Sequence, residues 1–233
     1  MTGMNLPIFY SYRRCPYAMR TRMALKLTDI EVEIREISLR EKPAHLLEVS
    51  PKGTVPVLVL PNGSVIDESL EIMFWAFNYL SNHTRAENDA TGLKHSSTSL
   101  RANIYAASVA SPETALIETN DTSFKKYLDC YKYPERHPEK SQLEYRQAGE
   151  VFLQQLEELL QKNTYLFGAK FGLADLAIFP FVRQFAAVDS TWFNVAAYPK
   201  LRAWLIGWLD SDLFKSVMTK QAIFVWKRNL LRE

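Results

Sequence analysis

Cys15 is the residue best placed to do chemistry: in Arg13-Arg14-Cys15-Pro16-Tyr17-Ala18 it directly precedes a proline able to open a helix. A thiol at that position meets unpaired amide N–H groups and the positive end of the helix dipole, and Arg13 and Arg14 add to the same field. These influences predict a thiol pKa below that of a free cysteine, and the thiolate is the form that attacks disulfides and electrophiles. An isolated cysteine is more often a small buried residue, but position and basic neighbours favour chemistry here. Ala18 stands where a dithiol motif would carry its second cysteine, and Cys130 is too far along the chain to be taken as a partner. Intramolecular disulfide cycling is therefore disfavoured, and a mixed disulfide with a small thiol is preferred.

Other chemistries find little support. His45, His83, His95 and His137 are scattered, no Cys/His/Asp cluster has metal-ligand spacing, and no glycine-rich phosphate loop occurs, so neither a metal nor a nucleotide is expected. Lys and Arg exceed Asp and Glu by only 2 charges, leaving no footprint for nucleic acid. No run of about 18 apolar residues is present, and the first residues lack a basic stretch followed by a long apolar one. Two cysteines are too few for a disulfide framework, which points to a reducing compartment, the cytoplasm, with no membrane partner. A content of 47% hydrophobic and 23% charged residues is that of a folded protein able to bury a sizeable core.

The elements that must position Cys15 follow from periodicity. Residues 6–10 form a short apolar strand, and 16–29 place Met19, Met23, Leu25 and Leu27 at roughly helical intervals. Residues 31–37 alternate between charged and apolar as a half-buried strand does, and a short helix is expected near 44–49. VPVLVL at 55–60, the Pro61-Asn62-Gly63 turn and residues 64–66 predict a hairpin, and a closing helix follows from Ser69. Parallel pairing of the first two strands requires a crossover helix, so this order predicts a thioredoxin-like α/β domain over 1–80. A polar linker and exposed helix start are expected at 81–99, and an all-α domain over 100–233 with helices near 100–110, 121–132, 141–162, 172–188, 199–209 and 211–218. The two prolines in 133–140 break the second of these from the third.

Three stretches in register, Cys15 to Lys26 (CPYAMRTRMALK), Arg40 to Leu58 (REKPAHLLEVSPKGTVPVL) and Ile66 to Ile72 (IDESLEI), make the chain resemble the omega-like, single-cysteine branch of the glutathione transferases over most of its length. The resemblance implies a mixed four-stranded sheet with helices followed by an all-helical domain. It implies that Cys15 forms a mixed disulfide with glutathione, where other branches use tyrosine or serine to activate the thiol. It places Lys42 against the glycine carboxylate, although an exposed loop lysine is an equal reading. Val55, before a cis proline at Pro56, would pair its backbone with the cysteinyl part in a strand-like manner. Ser69 and the helix amides would receive the γ-glutamyl carboxylate and Glu68 its ammonium, while chemistry alone reads Ser69 as an N-cap. Phe171 to Ala177 resembles the family's capping box, with Asp175 reaching back to preceding N–H groups and Gly172 replacing the usual hydroxyl cap. An acceptor pocket in the second domain would draw on Tyr127, Tyr131, Phe181 and Arg183, each of which reads first as packing. The implied activity is that of a glutathione-dependent thiol transferase or reductase acting as a homodimer on a small-molecule or glutathionylated acceptor. The alternative is a non-catalytic glutathione-binding or protein-interaction module on the same fold.

Overall fold

The computed structural model describes residues 6–79 and 111–225. β1 (Ile8–Ser11) and β2 (Glu33–Glu36) run parallel, joined by the crossover helix α1 (Pro16–Leu27). After the short α2 (Ala44–Val49), β3 (Val57–Val59) pairs antiparallel with β1, and β4 (Val65–Ile66) pairs antiparallel with β3, giving a sheet of order β2-β1-β3-β4. The β3–β4 turn is closed by Gly63 N–H to Leu60 C=O at 2.9 Å and Ser64 N–H to Asn62 Oδ1 at 3.0 Å. Its Gly63 holds φ +85°, a conformation that costs other residues dearly. A helix over 69–79, α3, completes the thioredoxin-like order.

Alternation along β1 and β3 divides the core between the two faces of the sheet. Phe9 and Leu58 pack with Leu25 of α1 and Ile72 and Ala76 of α3. Tyr10, Val57 and Val59 pack on the other face with Leu46 of α2, Val55 and Ile37. The expected alternation of β2 fails at its end. Ile34 is 42% exposed, whereas Glu36 is buried on the side facing α1.

The chain divides into two compact units, and residues 216–225 group with the first unit, not with the helical one as the expected 100–233 domain had it. The reason is the open edge of β2. Phe224 N–H donates to Glu36 C=O at 2.7 Å, Ile223 makes a parallel bridge with Glu36, and the Arg35 guanidinium lies 4.6 Å from the centre of the Phe224 ring.

The helical unit contains α4 (Pro112–Thr119), a π-helical turn (Asn120–Phe124), α5 (Lys125–Lys132), α6 (Gln142–Lys162), α7 (Leu173–Ala186), α8 (Ser190–Val195), α9 (Pro199–Asp210) and the start of α10 (Asp212–Val217). The expected 121–132 helix thus continues from an earlier one, whose Ser111 cap exchanges hydrogen bonds with Thr114. The Pro134–Arg136 turn makes the predicted break, and Ser141 and Glu144 cap α6 reciprocally. The helix expected near 100–110 and the whole 81–99 linker lie outside the described residues. α7 is buried on almost every side, and an added carbon on Gly149 of α6 would come within 2.5 Å of Phe185 Cε2. No helix among the described residues is long and apolar enough to cross a membrane.

At the start of α7, Asp175 Oδ2 accepts Gly172 N–H at 3.0 Å, as the capping-box reading expects. Beside Gly172, Glu113 Oε1 lies 3.2 Å from where a side-chain carbon would sit, and Glu113 Oε2 is buried without a hydrogen-bond partner among the described residues. Burial, then the nearby charge of Asp175, pushes the Glu113 carboxyl above its ordinary range. A folded-state pKa above the unfolded value means stability fully present below the unfolded pKa and lost as pH rises through the folded one. Glu113→Gln is accordingly expected to raise Tm by roughly 2–4 °C near neutral pH and to leave it almost unchanged near pH 4, roughly where the unfolded-state carboxyl is already half protonated. Thermal melts at the two pH values check it, and an equal change at both removes the electrostatic account.

Candidate functional site

Cys15 is the residue that opens α1. It has extended backbone (φ −73°, ψ 123°), Pro16 follows at the first helical position, and no acidic residue lies in the first turn. Its N–H donates to Tyr12 C=O at 2.9 Å, closing a tight turn that presents the thiol at the helix N-terminus. The half-buried Sγ lies 3.5 Å from the backbone oxygen of Val55. Val55, almost fully buried, precedes Pro56 through a cis peptide bond, the isomer the resemblance implies.

Lys42 is exposed, and its chain folds back over the loop before Val55: Nζ lies 3.3 Å from where a side-chain carbon on Gly53 would sit. Gly53 itself has φ +59°, and the same added carbon would meet Leu47 Cδ2 at 2.9 Å, so only glycine fits beneath the lysine. Lys52 in that loop bridges Glu68 at 2.6 Å and Asp67 at 3.1 Å, while Ser50 Oγ donates to Asp67 Oδ2 at 2.9 Å. Burial alone would raise Asp67, but the Ser50 hydroxyl and Lys52 ammonium outweigh it and hold the carboxyl below its ordinary value. Glu68 stays largely exposed.

Ser69 is not the N-cap that the sequence suggests. Glu68 C=O accepts the Ile72 N–H at 3.0 Å, so the helix begins one residue earlier than a Ser69 cap requires and Ser69 occupies its first turn. Its buried hydroxyl is held by Arg20, from Nε at 3.1 Å and Nη2 at 2.8 Å. Arg20 is itself 1% exposed and lies over the Tyr17 ring at 5.0 Å. A charge taken so far from water requires partners, and Ser69 is one of them. The roughly helical intervals of Met19, Met23, Leu25 and Leu27 predict α1 but not the burial of Arg20 and Arg22. The signal was two arginines inside an otherwise apolar helix.

Arg22, on the same helix, donates to Ser11 Oγ and the Arg13 carbonyl. Burial pulls its guanidinium down to about 10, opposed by the charges of Glu36 and Cys15. A cavity of about 460 Å³ lies against this region, lined by Arg13, Arg22 and Glu36 among others, but by none of Cys15, Lys42, Val55, Glu68 and Ser69. The predicted site residues therefore lie outside this cavity, on the start of α1, the loops holding Lys42 and Val55, and the start of α3. Of the expected acceptor-pocket residues, Tyr131 and Phe181 are buried core of the helical unit, Tyr131 packing on Phe185 at 4.9 Å between ring centres. Tyr127 is half-buried, and Arg183 lies 5.5 Å from the Phe214 ring centre.

Comparison with known proteins agrees with this architecture. Residues 14–76 match the family model "Glutathione S-transferase, N-terminal domain", and residues 144–206 match "Glutathione S-transferase, C-terminal domain". Glutathione S-transferase omega-1 of Rattus norvegicus is 48% identical over 61 residues, which are 26% of this chain and 25% of the rat protein. Glutathione S-transferase U28 of Arabidopsis thaliana is 28% identical over 192 residues, 81% of this chain and 78% of that one. Among solved structures, a glutathione transferase family member from Pseudomonas fluorescens with two glutathione bound superposes with a TM-score of 0.70 over 94% of each chain at 14% identity, a likeness of fold. With both domain models matched in order, a thioredoxin-like sheet and a helical second unit, the chain belongs to the glutathione S-transferase superfamily.

Proposed function

We propose that this transferase is an omega-like, glutathione-dependent thiol transferase or reductase working through a mixed disulfide on Cys15. The observation that carries the reading is a cysteine at the N-terminus of α1, 3.5 Å from the Val55 carbonyl, with Ala18 in place of a resolving thiol. The 61-residue stretch shared with omega-class relatives supports the branch. In the first step the Cys15 thiolate attacks the glutathione sulfur of a glutathionylated acceptor, the acceptor–glutathione S–S bond breaks, and the acceptor leaves as a thiolate that takes up a proton. A second glutathione thiolate then attacks the glutathione sulfur bound to Cys15, releasing oxidised glutathione and regenerating the thiolate. Glutathione mixed disulfides suit this double displacement directly. A glutathionyl ketone enters it by breaking its C–S bond, the ketone leaving as an enolate that takes up a proton, and dehydroascorbate enters it once glutathione has added to a carbonyl, the reduced product then leaving as Cys15 attacks that sulfur.

The surrounding residues take roles that match their chemistry. The Val55 backbone pairs with the cysteinyl part of glutathione, Lys42 meets the glycine carboxylate, and Ser69 with the first amides of α3 receives the γ-glutamyl carboxylate. Arg20, by fixing the Ser69 hydroxyl, adds positive charge at that end. Glu68 receives the γ-glutamyl ammonium in exchange for its present partner Lys52. The protein acts as a homodimer in the cytoplasm.

Intact mass after incubation with oxidised glutathione tests the reading. Wild type should gain one glutathione, removable by reduced glutathione, and Cys15→Ala should gain none. An adduct that persists in the mutant, or forms in neither protein, sinks the Cys15 mechanism and leaves a glutathione-binding or protein-interaction module on this fold.

A further inference from the structure

Behind Cys15 lies a buried charged cluster that the steps above do not use. Arg22, 6% exposed, donates from Nη1 to Ser11 Oγ at 2.5 Å and from Nη2 to the Arg13 carbonyl at 2.7 Å. Glu36, 8% exposed, accepts the Arg13 N–H at 2.5 Å. The two side chains thus grip the backbone of one residue from both ends, and that residue stands two before Cys15 in the turn closed by Cys15 N–H to Tyr12 C=O. The segment grouped with this unit from Ser216 on closes over the cluster: Arg13 Nη1 reaches the Met218 carbonyl at 3.5 Å, Met218 Sδ lies 3.8 Å from Arg22 Nη2, and Phe224 N–H bonds Glu36 C=O.

Holding a peptide in place needs only neutral donors and acceptors. A buried guanidinium and a buried carboxylate are a costly way to do it. Arg22 Nε has no hydrogen-bond partner among the described residues, and the guanidinium is near enough to Cys15 for their charges to interact. Full charge at this depth matters where another charge must be favoured nearby, and besides Glu36 the negative group that Arg22 faces is the sulfur at the end of the turn.

We propose that Arg22 and Glu36 are positioning residues for the Cys15 nucleophile, fixing the Tyr12–Cys15 turn and setting with opposite signs the electrostatic potential at its sulfur. This rests on the reading of Cys15 as the reacting thiol. The charged groups around it are Arg13 and Arg14 in the turn, Arg20 and Arg22 on α1 and Glu36 on β2. Lys26, Asp29 and Glu31 share with Arg22 the lining of the neighbouring cavity. Arg22, drawn down to about 10 by burial, keeps its charge over most of the range in which a thiol titrates.

The test is the rate of Cys15 alkylation by iodoacetamide against pH, followed by peptide mass on the full chain, with a melting curve for every variant. Arg22→Met should move the midpoint up by on the order of one pH unit, Arg22→Lys should stay closer to wild type because the charge is kept, and Glu36→Gln should move it down. The glutamine still accepts the Arg13 N–H, so its shift isolates charge from geometry. Midpoints unmoved in both Arg22→Met and Glu36→Gln, or moved in the same direction, overturn the proposal and leave a structural clamp. If Arg22→Met fails to fold, Glu36→Gln decides alone: a downward shift supports the proposal and no shift overturns it. Failure of the wild-type protein to form the glutathione adduct on Cys15 would instead fall on the functional reading, whatever the variants do.

Discussion

Cys15→Ser is expected to lose on the order of 10³-fold or more in turnover of a glutathione mixed disulfide while keeping its stabilisation by glutathione. The serine hydroxyl fits the same position at the N-terminus of α1 and can make a better hydrogen bond to the Val55 carbonyl than a thiol does, so the fold and the cradle are preserved. What it cannot do is exchange with a disulfide. The helix dipole and neighbouring arginines that suffice for a thiol leave an alcohol protonated, and the product of oxygen attack on sulfur is not a disulfide that a second glutathione can resolve. Binding is read separately by thermal shift, since glutathione at 100 times its dissociation constant should stabilise the protein by about 2.7 kcal/mol in both forms. Lost turnover with an equal thermal shift assigns the chemistry to the sulfur. Retained turnover shows that Cys15 is not the nucleophile. A shift absent from both proteins shows that glutathione is not the ligand.

Local pattern carried most of the first unit. The Pro16 helix start, the Pro61-Asn62-Gly63 turn and the apolar β1 and β3 are written in neighbouring residues, and the 44–49 helix agrees with Ala44–Val49. The misses share a cause: long-range packing decided them. The alternation over 31–37 makes Glu36 part of a regular pattern, yet Arg35 and Glu36 are both charged, and this break in period puts a carboxylate on the α1 face opposite Ser11. Its value became visible only with Arg13 and Arg22 in place. Ser69 looked like a cap because serine before an apolar run usually is one, but Arg20, 49 residues earlier, claims its hydroxyl. The expected helix starts at 121, whereas the chain enters it from α4 through the π-helical turn Asn120–Phe124, whose Phe124 packs on Phe152 and Phe185. Residues after 216 were assigned to the helical domain by chain order, and no sequence periodicity announces that Ile223 and Phe224 will add to the edge of β2.

Asp175→Ala is expected to destabilise the protein by about 3–5 kcal/mol, the largest stability effect of any change considered. Asp175 is 1% exposed and holds three separate parts of the helical unit. Oδ2 accepts Gly172 N–H at 3.0 Å, and Oδ1 accepts both Leu166 N–H at 3.1 Å and Trp204 Nε1–H at 2.8 Å. These donors tie the start of α7 to the loop before it and to α9. Burial pushes the carboxyl above its usual range, and the three N–H groups pull the other way, which is how so buried an acid is tolerated. Alanine removes every acceptor and leaves three donors out of reach of water, each worth about 1–3 kcal/mol. Gly172 has no hydroxyl with which to compensate, and the nearest replacement oxygen, on Glu113, belongs to a carboxylate whose own ionisation burial already resists. Asp175→Asn sharpens the argument, because its Oδ1 can keep Leu166 and Trp204 while its amide NH₂ confronts the Gly172 N–H. The asparagine should therefore fall between wild type and alanine in chemical denaturation. An alanine variant within about 1 kcal/mol of wild type would show that water or a rearranged cap replaces the carboxylate, and that α7 does not depend on it.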